Sequence, residues 1–443
     1  MIGLLFLCKG ELLQKPLRDR FFLHTPFDIN FILAIVFINV YGLIMIYSAS
    51  YYYAESAYHY APDYFFQNQL RWVLLGFAAF ILISYVRPKY WQRLWKWALI
   101  VSFVFIILVR IPPFAHASHG AYRWIKLGSF LLQIAEPVKL GVIIGIAGLL
   151  VYNKVTDKKT LIWTFGISGV FAVLLLFLSS NMSTALIVFA MVYLLVTTIH
   201  PKPKGFILFA AGVFVVIVLA VIIVDRFIPF SDEENFRITR IRAWIHPTDE
   251  RFIVDEAYQS TQALYAIASG GFFGRGLGQS LIKFKLPEPH NDYILAIIFE
   301  EMGILGVLIL TYLFLYLMYK IFRIYLNTKD RFSRYVVLGV FYHLTVQILL
   351  NYAVTLGILP TMGVTLPFIS AGGSAAFFTL IELGVVLGIS RQNEENSLYM
   401  EANLEMEEEN PYFRQLKEEG YDTEAPLKKK RVKVPRVRKE QRP

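Results

Sequence analysis

Ionisable side chains placed inside or against long apolar runs are costly in lipid, and they mark where a membrane chain does chemistry. Asp292 ends the polar string Leu286-Pro287-Glu288-Pro289-His290-Asn291-Asp292 and directly precedes an apolar run. It reads either as a helix-start acid stabilised by the helix dipole or as a general base at the membrane surface beside His290. Glu136 and Lys139 stand three residues apart on one helix face, with Pro137 between them where a missing N–H costs little. They either neutralise each other, or Glu136 orients Lys139 as a clamp for an anionic substrate. Glu382 is the one charge of the last apolar run, with no partner assignable from sequence, and Arg71 fits a snorkelling side chain near a helix end.

Irregular segments accompany these residues. Gly120-Ala121-Tyr122-Arg123-Trp124-Ile125-Lys126-Leu127-Gly128 alternates aromatic, apolar and basic residues, which suits a segment lying in the membrane interface or a plain aromatic belt. Residues 270–280 are glycine-rich, but the strand and the Lys-Ser/Thr of a nucleotide loop are missing. Residues 357–374 are rich in Gly and Pro. Irregular backbone at membrane depth is tolerated only against protein or a wet cavity, so this stretch predicts a re-entrant or broken-helix element lining a site.

The elements that must position these residues are membrane helices. Of the chain, 56% is hydrophobic and 17% charged, against about 45–50% and about 25% in a soluble domain. That excludes a soluble enzyme and a nucleic-acid partner, despite a net charge of +10. The single cysteine, Cys8, excludes an intrachain disulfide and a cysteine metal cluster. Residues 1–7 are apolar but too short for a signal peptide and lack its basic leader. The hydropathy predicts an all-α polytopic protein with ten spans, near 29–54, 67–86, 94–111, 134–152, two within 161–199, 205–224, 292–319, 335–356 and 366–389. The pair within 161–199 is separated by the polar break Ser179-Ser180-Asn181-Met182-Ser183-Thr184.

Lys and Arg crowd alternate loops: 1–27, 87–96, 154–159, 202–204 and 320–334. Positive-inside then places both termini in the cytoplasm and the long 225–291 loop outside. Eight bases in that loop are offset by nine acids. The expected organisation is a cytoplasmic tail over 1–27, a membrane domain over 28–390, and a charged cytoplasmic tail over 391–443. The last tail reads as a segment solvated by its own charge, or as one whose Lys428-Lys429-Lys430-Arg431-Val432-Lys433 touches anionic lipid or a cytoplasmic partner.

Three dispersed patterns resemble the SEDS family of bacterial cell-wall proteins, the FtsW/RodA group. The first, G-A-x-R-W-x-x-L-G followed by Q-x-x-E-x-x-K, is met by Gly120, Ala121, Arg123, Trp124, Leu127, Gly128, Gln133, Glu136 and Lys139. The second, L-P-E-x-H-T-D-F-I-F-A then E-E-x-G, is met by Leu286, Pro287, Glu288, His290, Asp292, Ile294 and Ala296, then Glu300, Glu301 and Gly303. The third, L-P-x-x-G-x-x-L-P-x-I-S-Y-G-G-S, is met by Leu359, Pro360, Gly363, Leu366, Pro367, Ile369, Ser370, Gly372, Gly373 and Ser374, preceded by Gln347 and Asn351.

The resemblance implies an inverting glycosyltransferase that polymerises lipid II into peptidoglycan glycan strands and releases undecaprenyl diphosphate. Asp292 matches the family's essential acid. Arg123, Trp124, Glu136, Lys139, Glu288, His290, Gln347, Asn351, Ser370, Gly372, Gly373 and Ser374 become candidate substrate-binding residues. A single-span class B penicillin-binding protein of FtsI type and other division proteins are the implied partners. Mg²⁺ or another divalent cation at the substrate pyrophosphate is the implied cofactor, without an organic one and without a closed metal site in the sequence. Tyr258-Gln259-Ser260, Gln262-Ala263-Leu264, residues 274–280 and Thr365-Leu366-Pro367-Phe368 resemble the division branch at the septum more than the elongation branch.

The chain departs from the pattern where the family acid after the fifth span is Asn181, where an aromatic after Ser370 is Ala371, and where Asn291 replaces a threonine. A lipid II flippase accounts for ten spans and broken helices, and a non-catalytic division scaffold gives the ionisable residues a purely structural task. Neither gives Asp292 special work.

The orientation is testable. Ser269→Cys should react with an impermeant thiol reagent on cells with a permeabilised outer layer, and Asn327→Cys should not; the reverse pattern would overturn the assignment of sides.

Overall fold

In a computed structural model of the chain, residues 27–409 are described apart from 113–114, 119–120, 128–129, 228–235, 248, 250–251 and 253–256. Gly120, Gly128, the basic amino-terminal tail and the Lys428–Lys433 run lie outside the described residues. In chain order the elements are α1 (Ile29–Tyr58), α2 (Tyr64–Ser84), α3 (Pro88–Arg93), α4 (Trp95–Leu108), β1 (Ala115–Ser118), β2 (Ala121–Leu127), β3 (Phe130–Gln133), α5 (Ala135–Tyr152), α6 (Lys158–Leu178), α7 (Met182–Ile199) and α8 (Lys204–Phe227). There follow α9 (Phe236–Ile245), α10 (Tyr258–Gly270), α11 (Ile294–Asn327), α12 (Arg331–Thr355) and α13 (Gly373–Glu409).

Among the described residues nine helices are long and apolar enough to cross a membrane: α1, α2, α5–α8 and α11–α13. The expected span near 94–111 is the shorter apolar helix α4. Its 14 residues rise about 21 Å, less than a hydrocarbon core of about 30 Å. Side-chain caps begin several helices at the polar residues between spans. Asp28 accepts from Phe31 N at 3.1 Å, and Asp330 from Ser333 N at 2.9 Å. Asn181 accepts from Thr184 N at 3.1 Å and so starts α7. Asn and Asp cap equally well, so the loss of the family acid at 181 leaves the helix start intact.

Helix α5 is the most enclosed of the bundle, and α8 has no buried residue at all. Gly141, Gly145 and Gly148 let α5 press against Ser102, Leu99 and Trp95 of α4, where a Cβ would collide. Small residues substitute for a hydrophobic driving force where helices associate in lipid.

Three expectations are sharpened or change. Within the stretch read as interfacial, Ala121–Leu127 is the middle strand of a three-stranded antiparallel sheet with Ala115–Ser118 and Phe130–Gln133, the one departure from helix in the regular structure described. The last helix starts at Gly373 rather than near 366, because Pro367 and the side-chain bonds of the preceding loop hold 366–372 out of helical geometry. It also continues to Glu409, into the stretch expected to be an unstructured tail. The bundle ends at Asn393, and residues from Glu394 onward form a separate unit.

The expected span 292–319 is the 34-residue α11, interrupted at Gly303, whose φ of 67° and ψ of −168° are not helical. A break at membrane depth strands backbone groups that must find protein partners. The glycine-rich stretch supplies them. Arg275 N and Gly276 N donate to Glu300 O and Glu301 O at 2.8 and 2.9 Å, while Ile304 N and Leu305 N donate to Gly271 O and Phe272 O at 3.1 Å each. Gly274 and Gly303 approach so closely that a Cβ on either would strike the other's backbone.

Buried charges lock the same junction. Lys283 Nζ lies 3.0 Å from Glu301 Oε1, both side chains fully buried, and also donates to Gly278 O at 2.6 Å. Ser48 Oγ of α1 donates to the other Glu301 oxygen at 2.5 Å. Glu300 accepts from Leu281 N, Ile282 N and Ser280 Oγ. Removing one partner of a buried pair leaves an uncompensated charge and costs about 3–5 kcal/mol, whereas replacing both with apolar groups is often neutral. Glu301→Ala should therefore lower the thermal unfolding temperature in detergent markedly, and Glu301→Leu combined with Lys283→Met should recover most of the loss. Equal losses in the single and double variants would remove the ion pair as the cause.

Candidate active site

The site is made from loops that are irregular in backbone and fixed by side chains of the helices behind them. Asn351 Nδ2 on α12 donates to Asp292 O at 2.8 Å and to Val364 O at 2.7 Å. One turn earlier on α12, Gln347 Nε2 donates to Thr365 O at 3.0 Å. Ser370 Oγ donates to Asn291 O at 2.9 Å and accepts from Leu366 N at 2.8 Å. Ala371 N donates to His290 O at 2.8 Å. The 286–292 string and the final loop are thus laced into one unit. Its far edge is tied down by Gly372 N to Gln69 Oε1 at 3.1 Å, by Gly373 packed on Trp72, and by Gln133 N to Ser374 Oγ at 3.3 Å.

Arg123 enters from β2. The β1–β2 register pairs His116 with Trp124 and Ala117 with Tyr122, so Arg123 is the extra residue of a bulge. A bulge re-aims a side chain out of the regular alternation. Arg123 Nη2 donates to Ser180 O at 3.1 Å, and Ser183 Oγ donates to Gly363 O at 2.9 Å, which brings the 179–184 break into the same neighbourhood. A Cβ on Gly363 would lie 3.2 Å from Asp292 Oδ2 and 3.9 Å from Arg123 Nη1. Glycine there leaves room between the carboxylate and the guanidinium.

Asp292 is half-buried. Burial pushes its carboxyl up to about 6; Arg123 opposes the rise, Glu288 adds to it and Arg240 opposes it. Burial likewise pulls the Arg123 guanidinium below its usual range, with Asp292 counteracting and Arg240 adding to the fall. Arg240 lies on α9, which is anchored by Trp244 Nε1 donating to Gly357 O at 2.8 Å. Arg123 Nε, Tyr293 Oη and Asn351 Oδ1, on residues adjoining Asp292, are among the buried atoms without a hydrogen-bond partner among the described residues. Buried polar atoms are nearly always paired, so these three have capacity for a polar partner.

The other sequence candidates fall into place around this point. Glu288 adopts φ 50° and accepts from Asn291 Nδ2 at 2.6 Å. His290 is buried. Its ring packs on Phe65 and Tyr53, with centroids 4.2 and 5.5 Å away, and burial holds its pKa near 4, so it is neutral at pH 7. Trp124 is half-buried on β2. Gln347, Asn351, Ser370 and Ser374 are buried with side chains committed to protein partners.

Glu136 and Lys139 form an ion pair of 2.9 Å inside the bundle. Lys139 Nζ also donates to Gln347 Oε1 at 2.9 Å, His343 Nε2 reaches the same oxygen at 2.9 Å, and His343 Nδ1 lies 2.7 Å from Glu382 Oε2. The partner of Glu382 that sequence did not supply is His343. His343, Arg240 and Lys283 are the residues of these networks that sequence reading missed. His343 stands one helical turn before Gln347, and that spacing was its one available signal. Among the described residues no group of three or more His, Cys, Asp or Glu side chains is arranged to hold a metal ion.

A family model described as "cell cycle protein", covering FtsW, RodA and SpoVE, matches residues 29–395. The chain is 32% identical over 386 residues to a probable peptidoglycan glycosyltransferase FtsW of Trichlorobacter lovleyi, covering 86% of this chain and 96% of that protein. It is 32% identical over 371 residues to stage V sporulation protein E of Bacillus subtilis, covering 83% and 98%. Among solved structures, a chain from a peptidoglycan synthase complex that coordinates polymerization and crosslinking has the same fold, with a TM-score of 0.66 at 22% identity over 84% of this chain and 99% of that one.

The raised Asp292 pKa carries a stability consequence. The folded chain holds this proton more tightly than the unfolded one, whose aspartates titrate near about 3.9. The carboxyl therefore costs stability as pH rises from about 4 through about 6. Asp292→Asn should unfold no earlier than the parent at about pH 7.5, and any advantage should shrink at about pH 4.5. Earlier unfolding of the variant at the higher pH would show that the carboxylate is a net stabiliser.

Proposed function

The chain belongs to the FtsW/RodA/SpoVE family of cell cycle proteins, and from that membership we propose that it is the lipid II polymerase of septal wall synthesis, with Asp292 as general base. It is a polytopic bacterial inner-membrane protein of peptidoglycan synthesis, and its named relatives are mostly FtsW-type. The observation that carries the proposal is the half-buried Asp292 carboxyl facing the Arg123 guanidinium across the space that Gly363 leaves open, where burial pushes that carboxyl up to about 6. Such a carboxyl is ionised at neutral pH and more basic than an ordinary aspartate, which is what proton abstraction requires.

In this reading the C4 hydroxyl of the acceptor N-acetylglucosamine passes its proton to an Asp292 oxygen. The hydroxyl oxygen forms a bond to C1 of the donor N-acetylmuramic acid. The C1–oxygen bond to the diphosphate breaks with its electron pair, and undecaprenyl diphosphate leaves. A single displacement inverts C1. Arg123, from the β2 bulge, and Arg240, from α9, face the developing negative charge of the diphosphate; preorganised cations there stabilise a transition state more than a ground state. Gly363 keeps the space beside Asp292 open, and Gln347, Asn351 and Ser370 hold the loops in place. A divalent cation would draw its ligands mainly from the substrate's phosphates, because the described carboxylates do not converge as a cage, and it would neutralise leaving-group charge.

A single-span class B penicillin-binding protein of FtsI type, with other division proteins, is the proposed partner set, and both termini are cytoplasmic in this arrangement. The likeness to a chain of a synthase complex supports a partnered enzyme. The buried chain from Glu136 to Glu382 is the feature a flippase reading would draw on, since ionisable residues within a bundle often line transport paths.

One assay separates the two. Asp292→Asn keeps the side-chain size and one oxygen but cannot take a proton. Purified with its partner, it should polymerise lipid II at least about 10²-fold more slowly than the parent, about 3 kcal/mol of barrier, with unfolding no earlier than the parent. Polymer at the parental rate would remove Asp292 as base. A parent complex that translocates lipid II and makes no polymer would favour the flippase.

A further inference from the structure

His343 and Glu382 are buried ionisable residues for which the proposed chemistry has no use. They face one another from α12 and α13 at 2.7 Å, with side chains 0% and 1% exposed. The hydrogen-bond pattern fixes where their protons can be. Gln347 Nε2 donates to the carbonyl Thr365 O, which only accepts, so Oε1 is the Gln347 atom turned toward Lys139 and His343. An oxygen 2.9 Å from His343 Nε2 requires that nitrogen to carry hydrogen. Nδ1 then either donates to a Glu382 carboxylate or accepts from a Glu382 carboxylic acid. In both arrangements one proton lies between Nδ1 and Oε2, and the pair is neutral overall, as a low-dielectric interior demands.

We propose that His343 and Glu382 are a positioning pair for the catalytic loop. Glu382 selects the imidazole form that presents N–H to Gln347, and that N–H, beside Lys139 Nζ on the same oxygen, holds the Gln347 carboxamide in the orientation that ties it to Thr365. Thr365 sits two residues from Gly363, which borders Asp292. Without Glu382, a neutral imidazole is free to carry its proton on Nδ1 and to turn a lone pair on Gln347 Oε1, and the tie to the loop weakens. The inference rests on the polymerase reading for its catalytic readout, but the loop readout is independent of it.

The test uses three variants of the full chain with its partner. Glu382→Gln donates to Nδ1 and preserves the same imidazole form, so kcat on lipid II should stay within about threefold of the parent. Glu382→Leu should lower kcat about tenfold or more with little change in KM, since misplacement of a supporting element acts on the chemical step. His343→Leu combined with Glu382→Leu removes the pair without leaving a lone polar group, so it should fold, and it should show the same kcat loss. Hydrogen–deuterium exchange across 357–372 should quicken in both Leu variants and not in Glu382→Gln. Parental kcat and parental exchange in the double variant would overturn the proposal, as would a loss in Glu382→Gln as large as in Glu382→Leu. A parent without polymerase activity would count against the polymerase reading alone, and the exchange comparison would still decide the positioning pair.

Discussion

The side-chain amide of Asn351 donates to two carbonyls, one on each of the two irregular segments that make the site. Everything around Asp292 depends on bonds of this kind. A bundle built for a bilayer can leave helical geometry only where protein replaces the missing backbone partners. Here α12 does this from one face, with Asn351 and Gln347 one turn apart, each reaching the final loop. Ser370 closes the loop on itself and on Asn291. The loops are therefore held from behind, and Arg123 Nε and Asn351 Oδ1, on two residues that border Asp292, are among the buried atoms without a hydrogen-bond partner among the described residues. That arrangement separates the residues that support the loops from the carboxylate they surround.

The same economy governs charge. Glu136 with Lys139, Lys283 with Glu301 and His343 with Glu382 each form a close pair at 2.7 to 3.0 Å inside the protein. Closed pairs of this sort hold elements in register and contribute little net stability against apolar replacements. Asp292 differs in kind. It is half-buried, its carboxyl is raised to about 6, and its neighbours Arg123 and Arg240 arrive from a sheet bulge and a separate helix. An acid placed this way costs stability when it ionises, and a shifted carboxyl in such a setting is a candidate for a functional site.

The break in α11 at Gly303 shows how a second irregular segment is made rigid. The glycine-rich stretch around 271–276 completes the backbone bonds of both half-helices, and the Lys283–Glu301 pair with Ser48 joins the junction to α1. Because Glu300 and Glu301 lie on the half-helix that begins directly after Asp292, this junction also fixes the far end of the segment that carries the carboxylate.

Much of this was legible in the residues. Hydropathy alone located the long helices and the split at Ser179–Thr184, because burial in lipid sums over a local window and needs no knowledge of neighbours. Asp292, Glu136 and Lys139 could be singled out because charge against an apolar run is locally anomalous, and the prolines and glycines of 357–374 declared a loop for equally local reasons. What tertiary structure decided are the pairings between distant residues. His343 meets Glu382 across 39 positions and Lys139 meets Gln347 across 208, and no local window contains either contact. Arg240 comes near Asp292 only because α9 is pinned to Gly357. The sheet at 115–133 and the break at Gly303 were likewise invisible. In the first, the alternation along 120–128 fits an interfacial stretch as well as a strand until the short partners 115–118 and 130–133 pair with it, and the second depends on a loop whose glycines gain meaning only from the backbone they touch.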